Sequence, residues 1–299
     1  MQTSPMTLSA ALSSNHDDQV VQLKRDRLIG QILAQSKGLE PTSIDRVLRH
    51  QRQRGGRFGE IAVAMGLVSE DDVFEALAQQ FGYPYLREAP ALDSELVCAC
   101  DPLGDDAQGF RELRTELLTG VLDGKTPRAL AVVSPERGDG RSYVAANLAI
   151  AFAQLGGRTL LIDADLRAPR QHELFRVHDM VGLSHVLSGR LAPEFAMQPS
   201  PVPGLVLLGA GATPPNPAEL LHRAAFQALV EESLAKFDHV VIDTSASSQG
   251  SEPRIAAAGA GAALVVARPQ AARMDALQHL VDSLGKGSTA VAGVVLNEH

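Results

Sequence analysis

The 299-residue chain has no tryptophan, only three tyrosines and two cysteines. The two thiols, in Cys98-Ala99-Cys100, cannot staple a fold of this length, so its stability must come from buried apolar cores. They also fall two ligands short of a tetrahedral metal site, and no further Cys or His stands near them in sequence. Such usage fits a reducing cytoplasm. Positive charge is scarce: 27 Lys and Arg against 35 Asp and Glu leave a formal net charge of −8. Neither half is basic, which excludes broad nucleic-acid binding, because that needs a surface that neutralises phosphate. Long apolar runs are missing too. The longest, 256–267, is too short and too rich in Gly and Ala to cross a bilayer. The first 19 residues lack the positive start and apolar run of a secretory signal. The expectation is a soluble chain without direct membrane insertion, reaching a membrane only through a partner.

What is present reads as two domains. An apolar share of 45% and a charged share of 21% are ordinary for a globular protein. Residues 1–19, rich in Ser, Asn and Asp, are expected as a disordered tail. Residues 20–88 form a small, mostly helical domain. Leu28, Ile32 and Leu33 share a helical face, as do Ile44, Val47 and Leu48, and Val73, Leu77 and Phe81. Ser69 before Glu70-Asp71-Asp72 reads as an N-cap followed by a first turn that suits the helix dipole. A shift of 29 residues lays Gly30 on Gly59, Leu33 on Ala62, Ile44 on Val73, Leu48 on Leu77 and Gln51 on Gln80, an internal repeat. Two similar helical hairpins account for it as well as any ligand does. Between the copies, Arg46, Arg49, Arg52, Arg54 and Arg57 fall in a stretch without an acid.

Residues 89–105, with Pro90, Pro102 and Gly104, read as a linker. From 106 to 299 helical patterns alternate with apolar runs. Strands are expected at 129–133, 159–162, 205–208, 239–242, 262–266 and 290–296, and helices at 107–122, 143–155, 217–235 and 273–284. Such alternation implies a mostly parallel sheet covered on both faces, an α/β fold.

The first strand runs straight into Ser134-Pro135-Glu136-Arg137-Gly138-Asp139-Gly140-Arg141-Ser142, and a helix follows. Strand, glycine-bearing loop and helix in this order make a phosphate site: successive N–H groups and the helix start face an anion. Gly138 and Gly140 let the backbone approach it, and Ser142 can ligate magnesium. Two later strands end in carboxylates, Leu160-Leu161-Ile162-Asp163-Ala164-Asp165 and Val240-Val241-Ile242-Asp243-Thr244. Carboxylates at the ends of parallel strands converge on the ligand crevice, where they hold magnesium or accept a proton. The loop deviates from the usual pattern: Pro135 replaces its first glycine and Arg141 its lysine. Arginine keeps the charge but not the compact geometry, so binding is expected more than efficient phosphoryl transfer.

Phe110-Arg111-Glu112-Leu113-Arg114-Thr115, Gly138-Asp139-Gly140-Arg141-Ser142, Leu161-Ile162-Asp163-Ala164-Asp165-Leu166-Arg167 and Pro214-Pro215-Asn216-Pro217 occur in that order. Together they resemble the bacterial tyrosine kinases, P-loop proteins of deviant Walker A type, and among them the cytosolic kinases encoded with exopolysaccharide chain-length determinants. The resemblance covers about 107–297. It implies ATP and Mg2+ as cofactors, with Gly138, Asp139, Gly140, Arg141, Ser142 and Tyr143 wrapping the phosphates. Ser142, Asp163 and Asp243 would hold the metal, and Arg141, Asp163, Asp165 and Asp243 would form the catalytic set, the aspartates also serving a tyrosine hydroxyl. Asn297 would meet the adenine. Arg111 and Arg114 match a ring-forming motif in which Gln108 replaces the glutamate, and the resemblance implies a homo-oligomer. It further implies a membrane chain-length determinant, a polysaccharide co-polymerase, as partner, and recruitment of a cytoplasmic protein to the inner membrane. The family's C-terminal tyrosine cluster has no counterpart after Tyr143, so the phosphoacceptor is expected on another protein.

The repeated N-terminal region resembles the N-terminal domain of type II secretion and pilus assembly ATPases, some of which bind cyclic di-GMP through paired motifs. That implies a ligand set of Arg27, Gly30, Gln51, Arg57, Gly59, Gly66 and Gln80, with the first copy degenerate at Leu28 and Lys37. Two other readings stay open: a partition-type ATPase switch, whose signature lysine would fall at Glu136, and a nucleotide-binding scaffold.

Overall fold

The computed structural model describes residues 29–81, 92–269 and 273–298, so the 1–19 tail and Arg27 lie outside it. The chain divides into two units, Met1–Tyr83 and Pro84–His299. Among the described residues no helix is long and apolar enough to cross a membrane.

The first unit is helical: α1 (29–37), α2 (Pro41–Arg54), α3 (Phe58–Ala64) and α4 (Glu70–Phe81). Leu33, Val47, Phe58, Ala62 and Ala76 form its core. The 29-residue repeat is visible in its packing. A Cβ on Gly30 would stand 3.0 Å from Ile44 Cγ2, and one on Gly59 would stand 2.3 Å from Val73 Cγ1. Each repeat glycine is therefore the point where one helix of a pair meets the next. The copies differ at their turns. The Leu67 N–H donates to Ala62 O, five residues back, whereas the Leu39 N–H donates to Leu33 O, six back. One extra residue in the first turn explains why Gly38 (φ 69°) rather than Lys37 matches Gly66 (φ 65°). Lys37 instead pairs with Asp72 at 2.8 Å and Glu75 at 3.1 Å. The Ser69 cap is reciprocal: Asp72 N–H donates to Ser69 Oγ at 3.1 Å and Ser69 N–H to Asp72 Oδ2 at 2.9 Å.

The second unit holds seven strands: β1 (Ala129–Ser134), β2 (Thr159–Asp163), β3 (Met197–Pro199), β4 (Leu205–Leu208), β5 (His239–Ala246), β6 (Gly261–Ala267) and β7 (Ala290–Leu296). Their order is β3-β4-β2-β5-β1-β6-β7, parallel except for the antiparallel edge strand β3. Helices α5 (Val97–Cys100), α6 (Asp105–Thr119), α7 (Arg141–Ala153) and α8 (Gln171–Leu174) cover one face. The other carries α9 (Leu183–Leu187), α10 (Pro193–Ala196), α11 (Pro217–Leu221), α12 (Ala224–Lys236), α13 (Glu252–Ala260) and α14 (Met274–Gly285). Strand alternation feeds both cores: Leu130 and Val132 face α7, while Ala129, Ala131 and Val133 face the other layer.

The segment expected as a linker, 89–105, is over its described part built into this unit. Leu92, Leu96 and Cys98 are buried in the α7-side core. Asn147 on α7 accepts the Cys98 N–H at 3.0 Å and donates to Glu95 O at 2.8 Å, and Gln154 donates to Cys98 O at 2.7 Å. The single helix expected over 217–235 is two, broken where Arg223 takes an extended ψ of 148°.

Replacing Gly59 by Ala is expected to destabilise the helical unit by about 1–3 kcal/mol, the usual range for overpacking. Faster amide exchange across α3 and α4 in the full chain would report it, and adding Val73→Ala should recover most of the loss. Unchanged exchange in Gly59→Ala would mean the contact is looser than described.

Candidate functional site

Three chain segments meet at the carboxyl ends of the central strands. β5 lies between β2 and β1, so the tips of β5 and then β2 lie to one side of the loop that leaves β1. Asp163 and Asp243 are register partners on the adjacent strands. By strand alternation Asp163 continues the Leu161 face and Asp243 the Val241 face, the side covered by α7. The loop delivers α7 to that place. Twelve of its thirteen residues are buried, Ser142 being the exception, so the helix start is fixed by packing on all sides.

The loop's shape depends on two glycines. Gly138 and Gly140 have φ of 88° and 93°. A Cβ on Gly140 would also stand 1.9 Å from Asn297 Nδ2. Asp139, expected at phosphate, folds back instead: its Oδ2 accepts the Glu136 N–H at 2.8 Å. Asn297, expected at the adenine, donates to Asp139 O at 3.1 Å and so braces the loop from the end of β7. Tyr143 packs edge-on against Phe110, with ring centroids 5.6 Å apart, and burial pushes its phenol up to about 12.

Arg141 is held inside the fold, 6% exposed. Its Nε donates to Thr244 O at 2.7 Å, one terminal nitrogen to Ser134 Oγ at 2.5 Å and Glu136 O at 3.2 Å, and the other to Asp165 Oδ2 at 3.5 Å. Asp165 is correspondingly committed. Its Oδ1 accepts the N–H groups of Arg167 and Ala168 and shapes the turn after β2.

Asp163 accepts the N–H groups of Arg170 and Gln171 on Oδ2, each at 3.0 Å, and that of Asp165 on Oδ1 at 3.1 Å. Burial first, and then the facing Asp243, push its carboxyl well above the usual range. Burial also raises Asp243, against the pull of Arg141, Gln171 and Ser142. Two buried carboxyls side by side cannot both ionise cheaply. Asp243 Oδ1 is buried without a hydrogen-bond partner among the described residues. With the Ser142 hydroxyl beside the pair, an oxygen-ligated divalent cation fits this donor set.

Residues not anticipated from sequence complete the site. Gln171 donates to Asp243 Oδ2 at 2.7 Å and to Ser142 O at 3.1 Å, joining the strand tip to the helix start. Arg170 forms a two-point ion pair with Glu95, and Arg167 Nε donates to the buried Glu252 at 2.8 Å. Only the neighbourhood of the Asp-Ala-Asp-Leu-Arg run hinted at them. Over the loop and the helix start opens a cleft of about 730 Å3, lined among others by Arg137, Ser142, Tyr143, Asp165, Arg170 and Arg268, with Asp163 and Asp243 outside its lining. That is the size of a nucleotide-class pocket.

The remaining expected residues lie elsewhere. Gln108, Arg111 and Arg114 are engaged within the chain: Arg111 Nε donates to Gln108 Oε1 at 2.9 Å, and Arg114 donates to Ala151 O at 2.6 Å. In the helical unit Gly30, Gly59 and Gly66 serve packing and a turn, Gln51 donates to Gly56 O at 3.0 Å, Gln80 is half-buried on α4 and Arg57 is exposed.

A family model described as ParA, NUBPL iron-transfer P-loop NTPase, matches residues 125–299. The chain belongs to this ParA family of P-loop NTPases. Within it, the similarity runs to bacterial tyrosine kinases. The tyrosine-protein kinase YwqD of Bacillus subtilis is 37% identical over 153 residues, 51% of this chain and 64% of YwqD. The tyrosine-protein kinase ptk of Acinetobacter johnsonii is 31% identical over 191 residues, 64% of this chain but 26% of ptk. The chain thus spans less than two thirds of either relative. The kinase domain of the Escherichia coli tyrosine kinase ETK superposes with a TM-score of 0.65 at 28% identity, covering 68% of this chain and 79% of that domain.

An acid whose folded pKa lies above its unfolded value loses stability as pH rises between the two. Asp243→Asn should therefore raise the nucleotide-free unfolding midpoint by about 4 °C at pH 8. The gain should shrink as the pH falls toward about 3, below the unfolded value of an aspartate, where the wild-type pair is mostly protonated in both states. A midpoint lower than wild type at pH 8 would show that the facing carboxyls are not in conflict.

Proposed function

We propose that the chain binds ATP·Mg2+ in this cleft and acts as a bacterial-tyrosine-kinase-type regulator of exopolysaccharide synthesis or export. The observation that carries the reading is the juxtaposition of the Asp163–Asp243 pair, the Ser142 hydroxyl and the amide-lined loop at one helix start. Magnesium would be held by Ser142, Asp163 and Asp243, and when bound it supplies charge neutralisation on the phosphates. The loop N–H groups from Gly138 to Ser142 bind phosphate oxygens and set their position against the strand tips. Asp165 is a weak candidate for proton acceptor, because both its oxygens are engaged. Among the described residues the one tyrosine, Tyr143, is buried against Phe110 and is ill placed as an acceptor, and the resemblance points to a tyrosine of another chain.

The partner that fits the resemblance is a membrane chain-length determinant, which would recruit the protein to the inner membrane. Homo-oligomer formation through Gln108, Arg111 and Arg114 would have to exchange the contacts these side chains make within the chain. In the helical unit, Arg46, Arg49, Arg52 and Arg54 are exposed and make no salt bridge among the described residues, which supports an anionic ligand such as cyclic di-GMP. A partition-type switch shares the fold, but Glu136 puts an acid where that class has its signature cation. The iron chemistry in the family description finds little support at Cys98, whose thiol burial pushes up to about 12.

Calorimetry with the full chain is expected to give saturable ATP binding that weakens at least about tenfold when EDTA removes magnesium. Labelled phosphate should then move from ATP to a tyrosine of the co-purified partner. No heat with any adenine or guanine nucleotide would end the nucleotide reading, and label on serine alone would end the kinase part.

A further inference from the structure

The loop carries two arginines, and the structure gives them opposite circumstances. Arg141, in the place of the phosphate-binding lysine, makes four hydrogen bonds to protein acceptors on three segments: Ser134 and Glu136 around the loop, Asp165 after β2 and Thr244 on β5. It is almost wholly buried, and its charge already has a carboxylate partner. Arg137 sits four residues earlier in the same loop, immediately before Gly138. It is exposed, lines the cleft and makes no hydrogen bond or ion pair to a described residue. Arg268, just past the end of β6, shares all three properties. The other cation of the cleft, Arg170, is spoken for by Glu95.

A polyphosphate entering the cleft needs cations that are not already neutralised. We propose that Arg137 and Arg268 carry the phosphate charge in this chain, and that Arg141 is a positioning residue that braces the loop. The inference rests on the nucleotide reading and names the residues through which the site meets its ligand. A forked guanidinium suits the bracing task, since it reaches several carbonyls at once where an ammonium is a single point charge. It leaves the loop with a fixed shape and hands the charge-pairing to side chains in the open part of the cleft.

The test measures ATP·Mg2+ and adenosine binding by calorimetry, and the nucleotide-free unfolding midpoint, in the full chain. Arg137→Ala and Arg268→Ala should each weaken ATP on the order of tenfold, the loss of one charge-assisted bond. Adenosine binding and the midpoint should stay unchanged in both, and the ATP affinity should depend less on salt. Arg141→Lys should lower the midpoint, because one ammonium cannot replace the set of bonds, while ATP affinity moves less than about threefold. Wild-type ATP affinity in both alanine variants overturns the proposal. So does a tenfold affinity change in Arg141→Lys at an unchanged midpoint, which would assign the phosphate contact to residue 141. If the wild-type chain binds no nucleotide, both this proposal and the functional reading fall; if it binds and the alanine variants are silent, only this one does.

Discussion

Two carboxyls placed side by side at the tips of neighbouring buried strands set the terms for the rest of the second unit. Asp163 and Asp243 sit opposite each other because β2 and β5 pair in register, and on the α7 face because strand alternation puts them there. Neither could stay in such a place without donors. The backbone after β2 turns so that the N–H groups of Arg170 and Gln171 meet Asp163, and the Gln171 amide meets Asp243. One oxygen of Asp243 is left over. Burying an unmet acceptor beside a second carboxyl costs stability, and a cation bound between them would offset that cost.

How much of this was legible from sequence differs by element, for physical reasons. The parallel strands were, because strands buried on both faces read as continuous apolar runs bounded by turns. So was the placing of the loop, Asp163 and Asp243 around one crevice, since parallel strands all end on the same side of the sheet. The short antiparallel β3 and the helix α13 were not. β3 has three residues, and α13, in Glu252-Pro253-Arg254-Ile255-Ala256-Ala257-Ala258-Gly259-Ala260, is too rich in alanine to show a period. The supposed linker misled because Pro90, Pro102 and Gly104 mark turns as readily as boundaries. What decides is the polar pair Asn147 on α7 and Gln154 at its C-terminal cap, which clamps Cys98 from about fifty residues away in sequence, a contact no local pattern encodes. Asp139 and Asn297, assigned to the ligand by motif, also shape the loop, and Asn297 lines the cleft as well, because both tasks use the same polar side chains near the same backbone.

The helical unit makes the complementary point. Its repeat was visible as glycines and leucines at a fixed offset, and the first copy looked degenerate where Lys37 replaced a glycine. The backbone removes that difficulty: the first turn is one residue longer, so Gly38 takes the left-handed position and Lys37 is released to pair with Asp72 and Glu75. The ion pair in turn holds the Asp72 carboxyl down to about 2, with help from the Ser69 cap. A register of hydrogen bonds, invisible to a fixed offset, thus restores the glycine of the first copy, while its other departure, Leu28, lies outside the described residues.

The arginine in the lysine position is best understood together with its neighbours. Ser134 supplies a hydroxyl that accepts from it, and Glu136 and Thr244 supply carbonyls. The same region is strapped to the segment after β5 by further bonds: the N–H of Ser248 and the hydroxyl of Ser247 both reach Pro135 O, and the Thr244 hydroxyl reaches Val132 O. That segment leads to Glu252, the buried partner of Arg167 beyond β2. The loop, the turn after β2 and the segment after β5 are therefore one hydrogen-bonded body, in which any group that moves the loop must also act on the other two. Lysine at 141 would leave most of those acceptors without a donor, so the exchange for arginine changes what the loop is mechanically joined to as well as the shape of its charge.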